Sequence, residues 1–390
     1  MENKKLKILF IIPQMALAGA EVLLVNLCSQ LYSLGHQLKV ISLHEPHESF
    51  NKLPQKECFL RHTKFQVVKF KTTISLLNSG IKVVSDEYKQ AVLDFKPDVI
   101  HSHLFLSEIV AHSFHYKNCV YFSHAHDNMY QLEPLLYKTK HKRTKTDYIE
   151  RFWLLKMYKK FNGSYVSISK DTNDFLERSL PKSQRKNISM LHNAINTKLY
   201  NKSVKTIDAS VLKLVSVGNL VPKKNHTFLI EVAKILREKN VNFTIDILGF
   251  GNLFESLTNK VIAADLQQNV FFRGSVGNVP EYLANSNIYL HPATYEPFGL
   301  VLLEAMASGL PVVCLNGDGN KDIIVEGKNG FMIDPPNAEK FVEKILLLKK
   351  NSEKYSELSA YARIFADGYD IENYANKLLK IYHNKLAENI

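Results

Sequence analysis

Two series of strand-length apolar runs, each alternating with helix-length segments, leave this chain few folds. LKILFII opens the first series at residues 6–12. A loop follows, then an amphipathic stretch from about Ala20 to Leu34 that stops at Gly35, and then QLKVISL. Strand, loop, helix and strand in that order imply parallel strands joined by a crossover helix. PDVIHSH, CVYFSHAH, YVSISK and NISMLHN extend the series. Near Tyr200 the pattern breaks at the polar, aperiodic NKSVKTIDAS, which reads as a linker. KLVSVG, VNFTIDILG, NVFFRG, IYLHPA and PVVCL make a second series, with HTFLIEVAKILREKN as its first helix and Asn225 as the expected N-cap. The expected fold is α/β, two doubly wound domains in tandem. Residues 1–203 form the first and 204–368 the second; a helix within 369–390 is expected to pack back on the first.

The 390 residues exceed one ordinary core. Charged residues make up 23% and the formal net charge is +12, which favours an anionic partner. No recognised nucleic-acid motif accompanies that charge, so nucleic acid is not the expected partner. Cys28, Cys58, Cys119 and Cys314 are scattered without a CxxC pair, which fits a reducing cytosol better than a disulfide framework or a zinc ribbon. The start resembles a signal peptide, but Pro13 and Gln14 interrupt its apolar run and an amphipathic helix follows. No apolar run approaches the ~20 residues that span a bilayer.

EPFGLVLLEAMASGLPVV, residues 296–313, carries the chemistry. Pro297 disfavours helix at Glu296, so a helix is expected to start near Phe298 or Gly299 and to end at Gly309 as a left-handed cap. The amides of Phe298, Gly299, Leu300 and Val301 then open the helix, where they suit hydroxyl or phosphate oxygens. The position is also the carboxyl end of a strand, where open α/β sheets bind ligands. Glu296 suits one hydroxyl, and Glu304 the paired hydroxyls of a ribose. Taken alone, the spacing of the two acids favours the plainer reading, Glu296 as a helix cap and Glu304 as a solvated surface charge, because such spacings are common by chance.

The stretch from His291 to Ile333, read whole, resembles the donor-binding signature of the retaining glycosyltransferases of the GT-B fold, family four. SVGNLVPKKNHTFLIEVA, IDILGFGNLFESL and NVFFRGSVGNVPEYLANSNIYLHPA resemble that family's second domain, and ALAGAEVLLVNL its glycine-rich first loop. The resemblance implies two Rossmann-like domains with an interdomain cleft. It implies that Glu296 contacts the transferred sugar and Glu304 the nucleotide ribose. Amides at Phe298, Gly299 and Leu300 would hold sugar hydroxyls, and those near Val301 the diphosphate. Lys224 matches the family's diphosphate lysine, with Lys223 beside it. The family's arginine position reads Asn219, which supplies no charge. Gly19 matches the loop glycine, where the missing side chain lets backbone approach a diphosphate. Val276 matches the grip on the base, and Phe250 and Gly251 line the same pocket.

Histidines cluster at strand ends of the first domain: His101 and His103, then His124 and His126, with Asp127 next. HxH pairs can bind metal, and an extended strand places both on one face. The family needs no metal and commonly sets a histidine near the transferred sugar, so either His124 or His126 is expected there. His103 is expected to be structural or acceptor-facing.

The implied reaction moves a sugar, with retention, from a nucleotide diphosphate sugar to a hydroxyl of a saccharide or lipid-linked acceptor. UDP-hexose or UDP-N-acetylhexosamine is the expected donor, and bacterial surface polysaccharide assembly the expected setting. No Asp-x-Asp motif appears, so neither a metal clamp nor a cofactor is expected. YKTKHKRTKTDYIERFWLLKMYKKF, residues 137–161, sets aromatics among lysines and suits an anionic membrane surface. That makes a cytoplasmic enzyme, peripheral on the inner face of the membrane. The alternatives are a nucleotide-sugar epimerase of similar fold and a degenerate transferase that only binds nucleotide sugar.

Overall fold

In a computed structural model the described residues are 4–75, 80–134, 144–200, 205, 207 and 210–388. The chain divides into two units: Met1–Asn193 with Glu372–Ile390, and Ala194–Ile371. The NKSVKTIDAS stretch falls largely outside the described residues. Lys205, within it, donates to the carbonyls of Leu283, Ala284 and Ser286 at 2.7–2.8 Å and belongs to the second unit.

In the first unit, β1 (Lys7–Ile12), β2 (Gln37–Ser42) and β3 (Lys64–Val67) precede a hairpin of β4 (Lys71–Ser75) and β5 (Gly80–Val84). Then come β6 (Val99–His103), β7 (Val120–Ala125), β8 (Ser164–Ser167) and β9 (Ile188–Met190). Seven of these form one parallel sheet in the order β3-β2-β1-β6-β7-β8-β9. The antiparallel hairpin β4–β5 was not expected; its residues KTTIS and GIKVV carry little apolar signal. All but one residue of β1 are fully buried, as both-face coverage by helices requires. The crossover helix Gly19–Ser33 turns into β2 through Gly35, whose φ of +86° lies where a side chain is disfavoured.

In the second unit, β10 (Leu212–Val217), β11 (Phe243–Leu248), β12 (Val270–Gly274), β13 (Ile288–His291), β14 (Val312–Leu315) and β15 (Gly330–Ile333) form a parallel sheet. Its order is β12-β11-β10-β13-β14-β15. Helix His226–Glu238 buries Leu229, Ile230, Val232, Ala233 and Leu236 against it. Each such aliphatic side chain contributes roughly 1.5–3 kcal/mol when fully buried. Asn225 precedes this helix, but in the left-handed region (φ +51°) and without a side-chain bond to the first turn, so it does not act as the expected side-chain cap.

Both sheets reverse strand order once, between β1 and β6 and between β10 and β13. The crevice outside the carboxyl ends at such a switch point is where open α/β sheets take ligands. Each unit therefore offers one such place.

Candidate active site

In the second unit the switch point is flanked by the loops that leave β10 and β13. The first carries Asn219 and Lys224; the second carries Glu296 and leads into helix Leu300–Ala307. Gly299 precedes that helix with φ +103°, and a Cβ there would meet Leu302 Cδ1 at 2.8 Å. At the other end Gly309 has φ +73°, donating to Met306 O at 2.8 Å, and Leu310 donates to Ala305 O at 3.0 Å. The helix starts and stops where its glycines predict. Phe298 is 1% exposed and packs into the interior, its ring 6.1 Å from that of Tyr369.

Lys224 Nζ donates to Glu296 Oε2 at 2.5 Å, and His291 Nε2 stands 3.2 Å from the same oxygen. Burial alone would raise the Glu296 pKa, but Lys224 and His291 outweigh it and hold the carboxyl down to about 2. Glu296 is thus a fixed anion at neutral pH. Glu304, one helix face away, behaves in the opposite way. Burial pushes its pKa up to about 7, only partly offset by a hydrogen bond with Tyr200. His226 is buried too, and burial, then the neighbouring His291 and Lys224, hold its pKa down to about 3. Lys223 holds its ammonium over the Tyr295 ring at 5.5 Å. Its carbonyl accepts from Thr294 N at 2.9 Å and so ties the two loops together.

A third loop, residues 316–320, completes the wall. Glu296 N donates to Gly317 O at 2.7 Å. A Cβ on Gly319 would stand 2.0 Å from Pro297 O, so only glycine allows this approach. Buried Asn320 holds the turn, accepting from Gly317 N at 3.0 Å and donating to Leu315 O at 2.9 Å. His291, Tyr200, His226 and this loop were not singled out in the sequence. NGDGN, directly after a strand, was the available signal for the loop.

On the other flank, backbone packs on backbone. A Cβ on Gly249 would lie 2.1 Å from Gly218 O, and one on Gly251 would lie 2.4 Å from Leu220 O. Leu220 N donates to Phe250 O at 3.1 Å. Asn219, Phe250 and Gly251 are thereby brought together, with the Phe250 ring 61% exposed. Val276 lies half-buried just past β12.

The remaining expected residues belong to the first unit. Gly19 is exposed at the start of helix Gly19–Ser33. His101 and His103 are two apart on β6, His103 is in register with His124 on β7, and His126 follows two later. Period-two alternation therefore sets four imidazoles on one sheet face. Their rings stack: His124 and His126 centroids are 4.0 Å apart, and His103 Nδ1 is 2.7 Å from His126 Nε2. His124 is 0% exposed and His126 9%, so His126 is the more exposed of the pair. Asp127 accepts from Asn128 N at 2.7 Å.

Residues 137–143 of the basic aromatic stretch lie outside the described residues. The rest forms helix Lys145–Lys160, opened by a capping box between Thr144 and Asp147. Leu154 and Tyr158 of this helix are buried in the core, and Trp153 and Leu155 are half-buried against it. The exposed aromatics are Tyr148 and Phe152, the latter at 64%, one turn from Lys156. No helix among the described residues is long and apolar enough to cross a membrane.

Family models described as Glycosyl transferases group 1 and Glycosyltransferase Family 4 match residues 200–365 and 17–199. An uncharacterized glycosyltransferase of Haemophilus influenzae is 34% identical over 173 residues, 44% of this chain and 48% of the relative. A UDP-Gal:alpha-D-GlcNAc-diphosphoundecaprenol alpha-1,3-galactosyltransferase of Escherichia coli is 25% identical over 169 residues, 43% of this chain and 44% of the relative. The chain thus spans less than half the length of these curated relatives. The crystal structure of Anabaena Alr3699/HepE with UDP-glucose superposes with a TM-score of 0.76, at 19% identity, covering 97% of this chain and 100% of that one. That likeness is one of fold, and the fold is GT-B.

Proposed function

This chain belongs to the family 4, group 1 glycosyltransferases, and from that membership we propose that it transfers a sugar from a UDP-sugar to a hydroxyl acceptor with retention. The donor is a UDP-hexose or UDP-N-acetylhexosamine. The acceptor is a saccharide or a lipid-linked saccharide of a bacterial surface polysaccharide. The observation that carries this reading is the Lys224–Glu296 pair beside the first turn of helix Leu300–Ala307, at the switch point of the second unit.

Each part has a role in the proposed step. Glu296, held ionised, accepts a hydroxyl of the transferred sugar and fixes its orientation. Lys224 has three N–H donors, so it can keep Glu296 and still reach a phosphate oxygen. The amides of Gly299, Leu300 and Val301 face the diphosphate with the positive end of the helix. Glu304 accepts from the ribose, and Phe250, Gly251 and Val276 border the base. Asn219 adds a hydrogen bond but no charge, which leaves Lys224 as the principal cation on the leaving group. No divalent ion bridges the diphosphate in this reading.

The bond from the anomeric carbon to the phosphate oxygen breaks as the bond to the acceptor oxygen forms on the same face. The acceptor's proton passes to the departing diphosphate oxygen. Charge accumulates on that diphosphate, where preorganised donors lower the barrier most. On the first unit, Gly19 follows β1 at the other switch point and His126 follows β7, and the family resemblance assigns His124 or His126 to a sugar hydroxyl. Tyr148 and Phe152 among lysines suit docking to anionic lipid, the setting of a lipid-linked acceptor.

The test is UDP release and product formation across a panel of UDP-sugars and acceptors, for the wild type and for E296A. Transfer by the wild type with a loss of at least ~100-fold in E296A supports the assignment. Conversion of donor to an isomer without acceptor would instead identify an epimerase, and donor binding without turnover a degenerate binder.

A further inference from the structure

Among the buried ring nitrogens of the first unit that make no hydrogen bond to the described residues, four sit together in one cluster: His101 Nε2, His103 Nε2, and both nitrogens of His124. Each side chain is 0% exposed. Leaving a buried polar group unpaired costs about 1–3 kcal/mol. Such a cluster in a packed core calls for an occupant. One ring nitrogen from each of the three lies within 4.8 Å of the others.

We propose that His101, His103 and His124 form a binding site for one divalent cation of the zinc type. The second nitrogens of two of them are already engaged. His101 Nδ1 is hydrogen-bonded to Tyr382 OH, and His103 Nδ1 lies 2.7 Å from His126 Nε2. With Nδ1–H donated to those partners, both Nε2 atoms keep their lone pairs and turn toward the third histidine. Outer partners of this kind fix tautomer and ring orientation at metal sites.

Imidazole ligands with no carboxylate or thiolate among them suit zinc, cobalt, nickel or copper rather than magnesium or calcium. Ligand nitrogens about 2.0–2.1 Å from zinc stand roughly 3.4 Å apart in a tetrahedral site, so the three rings must draw together. Three protein ligands leave a four-coordinate ion one position for water or a ligand oxygen. The site lies toward the carboxyl ends of β6 and β7, on the β7 side of the switch point between β1 and β6. Its three ligands belong to the first unit, whereas Lys224 and Glu296 belong to the second.

The test uses the full chain without an affinity tag, stripped with chelator and titrated with Co²⁺. The readout is the visible d–d absorption of low-coordinate cobalt, with Zn²⁺ as competitor. About one equivalent should bind saturably and be displaced by zinc. H103A and H124Q should each lose the band. Y382F, which leaves all three ligands in place, should weaken binding roughly 10- to 100-fold. Y382F keeps the test decisive if a histidine variant fails to fold by circular dichroism. Exposed Cys58, 3.4 Å from His62 Nδ1, is the competing surface pair, so C58S should bind as the wild type does. No saturable cobalt band in the wild type, unchanged binding in H103A, H124Q and Y382F, or loss of binding in C58S would each overturn the proposal.

Discussion

Lys224 Nζ and Glu296 Oε2 stand 2.5 Å apart although 72 residues separate them in the chain. One leaves β10 and the other leaves β13, neighbours only because the sheet reverses its order there. The pair is nearly buried, with side-chain exposures of 18% and 10%. Removing one member strands the other charge, which typically costs about 3–5 kcal/mol. K224M should therefore unfold at clearly lower denaturant than the wild type. K224M/E296L should recover most of the loss, since an apolar pair replaces a buried ion pair at little cost. Equilibrium urea unfolding checks both, and a double variant no more stable than K224M would refute the pairing.

The two acids predict opposite pH behaviour. Glu296 has its pKa depressed from 4.5 to about 2. Its contribution to stability is present above pH 4.5 and is lost as pH falls toward 2. Glu304 has its pKa raised from 4.5 to about 7, so the stability of its protonated form is fully present below pH 4.5 and is lost as pH rises toward 7. An ionised Glu304 is the better acceptor for two ribose hydroxyls. The donor KM should fall as pH rises through about 7 in the wild type and stay flat in E304Q. Initial-rate measurements from pH 6 to pH 8, about a unit either side, decide this.

Much of this architecture was legible in the chain, and the exceptions have physical causes. Buried parallel strands announce themselves as apolar runs, which is why β1, β6 and β10–β14 were visible, whereas the four-residue β15 (GFMI) was too short to stand out. The hairpin β4–β5 lacks that signal, since KTTIS is mostly polar. Glu296, Pro297, Gly299 and Gly309 mark a helix boundary by local chemistry alone. His291 against Glu296 is a contact across a loop, and no local rule gives its direction. Trp153 is half-buried against the core, a phase that a single tryptophan in a lysine-rich helix does not state.

Gly319 should tolerate no side chain. G319A places a Cβ 2.0 Å from Pro297 O, and the clash is with backbone, which cannot rotate away. A loss of about 1–3 kcal/mol is expected, with weaker donor binding because Glu296 moves with Pro297. Thermal unfolding with and without UDP reads both effects. G319A indistinguishable from the wild type would contradict the loop packing.

Phe152 is 64% exposed, so F152E should leave thermal stability within about 0.5 kcal/mol of the wild type. If helix Lys145–Lys160 docks on anionic lipid, F152E should float with far fewer vesicles containing phosphatidylglycerol. Equal flotation of both proteins, or none by the wild type, would remove this helix as a membrane contact.

A crystal of the full chain soaked with a UDP-sugar tests the donor site most directly. The account predicts a sugar hydroxyl within hydrogen-bond reach of Glu296, a phosphate oxygen at Lys224 and the amides of Gly299–Val301, and the ribose at Glu304. Density for the nucleotide sugar away from the carboxyl ends of β10 and β13, with Lys224 and Glu296 untouched, would contradict it.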